Sequence, residues 1–319
     1  AYLPTALSLN EPAVEKLRAA VNGTAATGFP LLVSSQEAAL DFAPHMPQLA
    51  RKLAKRCWPG PVTIAVDVSK NEGLLSQLPT KSQEAVIQQG HVRFRVPAHN
   101  TVQDVLRLLP APLVTIDETT DRAATADGVG EQFGNEVSLV IDDGRCRYGE
   151  PATVVDVAAD RWRLVKPGVV SETMLGRLSS EMYLFVCTGN TCRSPMAESL
   201  FRNLLSQRLK CPEEELADRG YIVASAGLAA VSGAPASPDA VDAMARRGVD
   251  LSAHAGQPIT ERLLEQADHI FTMTNGHRES ILSCRPELAE RSESLSGDGS
   301  DISDPNGRGV AASEESARK

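Results

Sequence analysis

Val186-Cys187-Thr188-Gly189-Asn190-Thr191-Cys192-Arg193-Ser194-Pro195 is the stretch that decides how this chain is read. The apolar run Met182 to Val186 before it reads as a short buried strand. The run from Ser194 reads as a long amphipathic helix with Leu200, Phe201, Leu204 and Leu205 on one face. A loop between a strand and a helix N-terminus aims backbone N–H groups inward and makes an anion site. Arg193 adds a bidentate fork for phosphate oxygens. A cysteine at the mouth of that site feels the N–H groups, the helix dipole and the guanidinium, all of which favour a thiolate. Cys187 is therefore expected to be a nucleophile, and a nucleophile placed in a dianion site points to phosphoryl transfer through a cysteinyl-phosphate.

The other loop residues have roles of their own. Gly189 and Asn190 tolerate the left-handed backbone of a tight loop. Thr188 and Thr191 complete the phosphate-binding loop. Ser194 fits two roles, an N-cap for the helix or a hydrogen-bond donor to the Cys187 sulfur. Cys192 reads as packing, close enough to Cys187 for a disulfide under oxidation.

Working outward, the second half alternates strand and helix. Tyr221 to Ala224 and His269 to Met273 read as strands. Pro238 to Arg247, capped by Ser237 and stopped by Gly248, reads as a helix, and another starts at Asn275. Parallel strands with crossover helices make a doubly wound sheet, whose ligands sit at the carboxyl ends of strands, where Cys187 lies. The expected proton donor to the leaving group is Asp304, in Ser300-Asp301-Ile302-Ser303-Asp304-Pro305, with Asp301 as the lesser candidate. His254 and His277 read as structural. Ser313-Glu314-Glu315 looks like a helix start that Lys319 cuts off before the helix covers anything.

These residues resemble the low-molecular-weight protein phosphatase family from about Met182 to the end. The likeness rests on the cysteine loop, Ser225-Ala226-Gly227, Ser252-x-His254, Ala267-Asp268-His269-Ile270-Phe271-Thr272-Met273-Thr274 and Asp304-Pro305. Within that family the loop is most similar to bacterial protein-arginine phosphatases, because tyrosine-directed members usually carry a branched aliphatic residue where Thr191 stands. The resemblance implies that Cys187, Arg193 and Asp304 are catalytic, that the substrate is a phosphorylated protein, and that no cofactor or metal takes part. Segments 226–237 and 300–309, expected at the mouth, contain no aromatic residue to wall a phenol. Phosphoarginine is therefore favoured over the alternative, phosphotyrosine. Arsenate reduction on the same fold needs a relay of two further cysteines, and Cys211 and Cys284 are not a closely spaced pair.

Residues 1–170 read as a second α/β domain with a mixed twisted sheet. Strands are expected at Pro30–Ser34, Val62–Val68, Val92–Val96, Leu113–Ile116, Val137–Ile141 and Thr153–Val155. Helices are expected at Glu11–Ala20, Met46–Arg56 and Thr101–Leu108. Arg51, Lys52, Lys55 and Arg56 read as a solvated helix face. This half resembles the YrdC/Sua5 family, which makes threonylcarbamoyl-adenylate. The likeness rests on Trp58-Pro59-Gly60-Pro61-Val62-Thr63, Val92-Arg93-Phe94-Arg95-Val96-Pro97-Ala98-His99, Asp142-Asp143-Gly144, Thr153-Val154-Val155-Asp156 and Lys166-Pro167-Gly168. The family's Pro-Thr-x-Thr-x-Tyr-Gly-Leu segment is absent. Its Lys-x-Arg-Pro falls near Val21-Asn22-Gly23-Thr24, and its Ser-Ala-Asn falls on Asp117-Glu118-Thr119. A pocket that loses two cations and gains two carboxylates repels ATP. The domain is therefore expected to keep the fold and lack the adenylate chemistry, with a nucleotide or RNA left open as its partner. Arg95 and Lys166, as isolated cations, read as surface residues.

The expected organisation is a YrdC-like domain over 1–170, N-terminally incomplete, a linker over 171–181, and a phosphatase-like domain over 182–319, C-terminally incomplete. The 319 residues suit two domains. A net charge of −9 excludes a bulk electrostatic footprint for nucleic acid. No apolar run approaches membrane-spanning length, and six cysteines without scaffold spacing predict a reducing cytoplasm.

Overall fold

Val62-Thr63-Ile64-Ala65-Val66, buried on both faces, sets the centre of the first sheet, and Val62, Ile64 and Val66 turn into one apolar core. The structure, a computed structural model, describes residues 4–20, 28–70, 72–116, 125–144 and 148–318. It divides into two compact units, Ala1–Ser179 and Ser180–Lys319. In the first, the strands are β1 (Thr5–Leu7), β2 (Leu31–Leu32), β3 (Val62–Asp67), β4 (His91–Arg95), β5 (Leu113–Thr115), β6 (Thr153–Ala158) and β7 (Arg161–Lys166). The helices are α1 (Glu11–Ala20), α2 (Gln36–Phe42), α3 (Gln48–Cys57), α4 (Thr80–Val86), α5 (Asn100–Leu108), α6 (Ala126–Phe133) and α7 (Glu172–Ser179). The sheet order is β1-β5-β2-β4-β3-β6-β7, with both parallel and antiparallel neighbours, as the sequence implied.

Residues 171–179, expected as linker, carry α7. Its Leu175 is fully buried in the first core. Arg56 Nη1 donates to Leu178 O at 2.8 Å, and Trp162 Nε1 donates to Ser179 Oγ at 2.9 Å. Arg51 likewise donates to the carbonyls of Pro44 and Met46. Two members of the expected solvated basic run thus bind backbone carbonyls rather than only water. Val137–Ile141 forms no strand: Leu139 is 75% exposed and Ile141 51%. An apolar run of high β-propensity becomes a strand only against a partner edge, and this one pairs with none.

In the second unit, the strands are β8 (Glu181–Cys187), β9 (Tyr221–Gly227), β10 (His269–Thr272) and β11 (Ser292–Ser294). The helices are α8 (Arg193–Leu209), α9 (Pro238–Ala245), α10 (Glu261–Gln266), α11 (Asn275–Cys284) and α12 (Val310–Ser316). All four strands are parallel, in the order β11-β10-β8-β9. Side chains alternate along β8. Leu184 and Val186 join a core with Ile270, Leu264 and Ile281, while Phe185 and Cys187 face the opposite layer with Met273 and Ile302. Helices therefore cover both faces, which is the doubly wound arrangement.

Two local expectations are corrected. Leu200 packs with the α9 cluster, while Phe201 and Leu205 pack against the sheet layer; Leu204, between the two clusters, is 61% exposed. The last helix does cover something: Ser313 is buried, Arg246 Nη1 meets Glu314 Oε1 at 3.0 Å, and Arg247 Nη1 donates to Ala317 O at 2.7 Å. No helix among the described residues is long and apolar enough to cross a membrane.

Candidate active site

Cys187 is the last residue of β8, and the parallel ladder pairs it with Gly227 at the end of β9. The chain then turns through Thr188–Cys192 into the start of α8 at Arg193. The turn is held from inside by Asn190, which is fully buried and has φ +54. Its side chain replaces the contacts that a glycine in this left-handed conformation would lack. Asn190 Nδ2 donates to Ser194 Oγ at 3.0 Å and to Ser225 Oγ at 2.8 Å, and Oδ1 accepts from Gln257 N at 2.8 Å. The Asn190 carbonyl lies 2.8 Å from His254 Nε2. Ser225 Oγ in turn donates to Glu198 Oε2 at 2.5 Å, and Glu198 pairs with Arg202 at 2.6 Å.

The nucleophile's surroundings follow from this. Asn190 N donates to Cys187 Sγ at 3.2 Å, and Ser194 Oγ lies 3.0 Å from the same sulfur. A Cys187 thiolate can only accept, so against it the Ser194 hydroxyl is the donor, with Asn190 Nδ2 donating to the same oxygen. The alternative acceptor, Ala226 O, is farther away at 3.4 Å. Ser194 lies in the first turn of α8, which Cys192 caps without a side-chain hydrogen bond; of the two roles the sequence left open, the sulfur contact is the one made. Cys192 Sγ donates to Ser237 Oγ at 2.9 Å, and Thr191 O accepts from Ser237 N at 2.8 Å, so the α9 cap braces the loop's far side. Cys57, in the other unit, is pushed up to about 12 by burial and stays a thiol.

Arg193 is 7% exposed. Its Nη1 donates to Ile302 O at 3.2 Å and its Nη2 meets Asp304 Oδ2 at 2.5 Å. Asp304 is half exposed, and its other oxygen accepts from Asn306 N at 3.1 Å, closing the turn through Pro305. The structure thus brings Asp304, 110 positions beyond Ser194 in the sequence numbering, to the end of the parallel sheet where Cys187, Arg193 and Ser194 lie. Asp301 serves elsewhere, accepting from Asn275 N at 2.8 Å at the start of α11. Two histidines that read as structural touch the loop directly. His254 meets the Asn190 carbonyl, and His277 Nε2 lies 2.9 Å from Thr188 Oγ1. Burial first, and then the Arg193 charge, push His277 below the usual histidine range, against opposing pulls from Asp301 and Asp304. A Ser/Thr cap followed by a histidine three positions on, as in Thr274–His277, was the one sequence signal for it.

In the first unit, Val21–Thr24 and Asp117–Glu118, the positions argued to repel ATP, lie outside the described residues. Arg95 and Lys166 are not isolated surface cations. Ladder partners place Arg93, Ala65, Asp156 and Arg163 in one row across the sheet; Arg95 lies two residues beyond Arg93 on β4 and pairs with Leu32, and Lys166 pairs with Val154. Arg163 Nη2 meets Asp156 Oδ2 at 3.2 Å, Arg93 is buried, and Arg95 and Lys166 are half-buried. No group of three or more metal-ligating side chains occurs among the described residues.

Comparison with known proteins agrees with both halves. The family described as low molecular weight phosphotyrosine protein phosphatase matches residues 183–314, and the Sua5/YciO/YrdC family, described as telomere recombination, matches residues 2–168. A probable low molecular weight protein-tyrosine-phosphatase, EpsP, of Ralstonia nicotianae is 42% identical over 103 residues, 32% of this chain and 62% of that protein. A protein-arginine-phosphatase of Bacillus subtilis is 37% identical over 131 residues, 40% of this chain and 81% of that protein. A threonylcarbamoyl-AMP synthase of Pyrococcus abyssi is 25% identical over 195 residues, 59% of this chain and 55% of that protein. The chain thus spans less than two thirds of the Ralstonia and Pyrococcus relatives. From these matches, the chain belongs to two families in series, Sua5/YciO/YrdC over residues 2–168 and the low molecular weight protein phosphatases over residues 183–314.

Proposed function

We propose that the second unit is a cysteine-dependent phosphoprotein phosphatase that acts through a cysteinyl-phosphate and prefers phosphoarginine. The observation that carries the reading is the convergence on Cys187 Sγ of the Asn190 N–H and the Ser194 hydroxyl, in a loop that also brings in the Arg193–Asp304 pair. An incoming phosphoryl dianion takes the Arg193 fork and frees Asp304, which, half exposed and beside the dianion, takes up a proton from solvent and becomes the acid. The thiolate attacks phosphorus, an S–P bond forms, and the P–N bond breaks as Asp304 protonates the leaving nitrogen. Asp304 then takes a proton from water, the water oxygen attacks phosphorus, and the S–P bond breaks. The sulfur leaves as a thiolate held by the Asn190 N–H and the Ser194 hydroxyl. Thr188, Gly189, Thr191 and Cys192 supply the rest of the phosphate-binding loop.

The preference for phosphoarginine is supported by the Thr191 hydroxyl and by the absence of aromatic residues in 226–237 and 300–309, which leaves no ring to wall a phenol, with Asp304 as a carboxylate partner for a planar guanidinium. The second reading, phosphotyrosine, keeps every step except the leaving atom and draws on the tyrosine-phosphatase name of the Ralstonia relative. The test is phosphate release from phosphoarginine and phosphotyrosine peptides, with Cys187→Ser as the blank. Release from phosphoarginine that vanishes in the variant is expected. Faster release from phosphotyrosine refutes the substrate preference, and release that survives Cys187→Ser refutes the mechanism.

For the first unit the proposal is a retained fold without threonylcarbamoyl-adenylate synthesis, supported by Val21-Asn22-Gly23-Thr24 near the place of the family's Lys-x-Arg-Pro and by Asp117-Glu118-Thr119 in place of its Ser-Ala-Asn. Threonine-dependent pyrophosphate release from ATP overturns it. A cytoplasmic location is proposed from cysteine usage alone.

A further inference from the structure

His277 is the one buried histidine of the chain, and the reaction just described gives its ring no proton to move. Yet both ring nitrogens are engaged by threonine hydroxyls, Nδ1 with Thr274 Oγ1 and Nε2 with Thr188 Oγ1, each at 2.9 Å. Thr274 caps α11 and accepts from His277 N at 3.2 Å, so the cap fixes the ring from behind. The ring therefore holds one particular hydroxyl, that of the exposed residue directly after the nucleophile.

The segment that carries Asp304 fixes the position of that hydroxyl relative to the reaction. Ile302 N donates to Met273 O at 2.8 Å, directly before the Thr274 cap, and Ile302 O accepts at 3.2 Å from the Arg193 guanidinium that also holds Asp304. Asp301 and the His277 cap meet at the same helix start, through Asn275 N and Thr274. Thr188 Oγ1 is thus tied to the acid's side of the nucleophile, the side from which the leaving group departs. A hydroxyl bonded to one imidazole nitrogen keeps at least one lone pair, whether it donates to that nitrogen or accepts from it. A guanidinium leaving group brings N–H donors to such a lone pair, and a phenol ring brings none.

We propose that Thr188, held by His277, is a specificity-determining acceptor for the N–H groups of a guanidinium leaving group, with His277 as its positioning residue. The proposal deepens the phosphoarginine reading and rests on it. The experiment compares kcat/KM for a phosphoarginine peptide and for p-nitrophenyl phosphate in the full chain. The variants are Thr188→Val, Thr188→Ser, His277→Leu and His277→Gln.

Thr188→Val and His277→Leu are expected to lower the ratio of phosphoarginine to aryl-phosphate kcat/KM about tenfold or more, the size of one hydrogen bond to a charged group. Thr188→Ser keeps the hydroxyl and restores the ratio. His277→Gln, whose amide still reaches the hydroxyl, restores part of it. A purely structural role lowers both substrates together and leaves the ratio unchanged, which overturns the proposal. Should His277→Leu fail to fold, the Thr188 pair decides alone, since Val and Ser differ there by one hydroxyl. A wild-type chain that turns over p-nitrophenyl phosphate but not phosphoarginine refutes the substrate reading, and this proposal with it, before any variant is compared.

Discussion

Replacing Gly227 by alanine tests whether the site depends on two strands closing without a side chain between them. Gly227 ends β9 beside Cys187, and its φ lies outside the left-handed region, so alanine meets no backbone strain there. The obstacle is space. An added Cβ falls 2.6 Å from Thr188 O, 2.9 Å from Asn190 N and 2.9 Å from Ala230 Cβ. An ordinary contact of about 3.5 Å requires the loop carbonyl to retreat by about 0.9 Å. Gly227 itself is held, because its N donates to Gln257 O at 3.0 Å and its O accepts from Ile259 N at 2.9 Å. The displacement therefore falls on the loop, and a misplacement of about 1 Å at a reacting centre costs about 100-fold in rate. Overpacking adds about 1–3 kcal/mol of destabilisation, a fall of several degrees in melting temperature. The assay is p-nitrophenyl phosphate turnover with a parallel thermal melt, and Gly176→Ala, whose Cβ meets nothing within 4 Å, is the control. Turnover within about threefold of wild type would refute the argument that close strand approach shapes the loop.

Three further outcomes are expected. Asn190→Ala removes four side-chain and conformational supports at once, namely bonds to Ser194, Ser225 and Gln257 and tolerance of φ +54. It should lower stability by about 2–4 kcal/mol in chemical denaturation of the second unit and abolish turnover. The depressed His277 makes stability pH-dependent. Below about pH 6.5 the unfolded chain takes up a proton that the folded chain resists, so stability falls as pH drops through that window, and His277→Gln should flatten this part of the urea-midpoint profile. Leu175→Ala should cost about 2–5 kcal/mol in the first unit's unfolding and leave phosphatase turnover in place; a smaller loss would mean that α7 is not part of that core.

The nucleophile loop was legible because its chemistry is contiguous. Seven consecutive positions carry the thiol, the turn residues and the guanidinium, and periodicity on either side places them between strand and helix. What supports the loop was not legible, because it arrives from afar. Gln257, His254, Ser225 and His277 are 35 to 89 positions from the residues they brace. A lone histidine or serine in a sequence says nothing about what it will face. The strand expected at Val137–Ile141 failed for the reverse reason: composition measures the wish to be buried, and pairing needs an open edge. The sheet instead closes on β7, whose Arg161-Trp162-Arg163-Leu164-Val165-Lys166 alternates charge with apolar bulk, a period-two pattern that reads as polar when averaged. Arg95 and Lys166 looked isolated because only the ladder register, through Ala65 and Asp156, brings the basic strand around Arg93 into one sheet row with Arg163.

The clasp between Arg193 and Asp304 bears on occupancy as well as on chemistry. The carboxylate is tethered to the chain, so it competes for the guanidinium at a fixed effective concentration, whatever the solution contains. A singly charged anion offers Arg193 little more than Asp304 already does, whereas a phosphoryl dianion engages the arginine and the loop together. In the proposed reaction the resting pair would act as a filter against singly charged anions, and the same carboxylate, returning to Arg193 after hydrolysis, would help to expel the phosphate product.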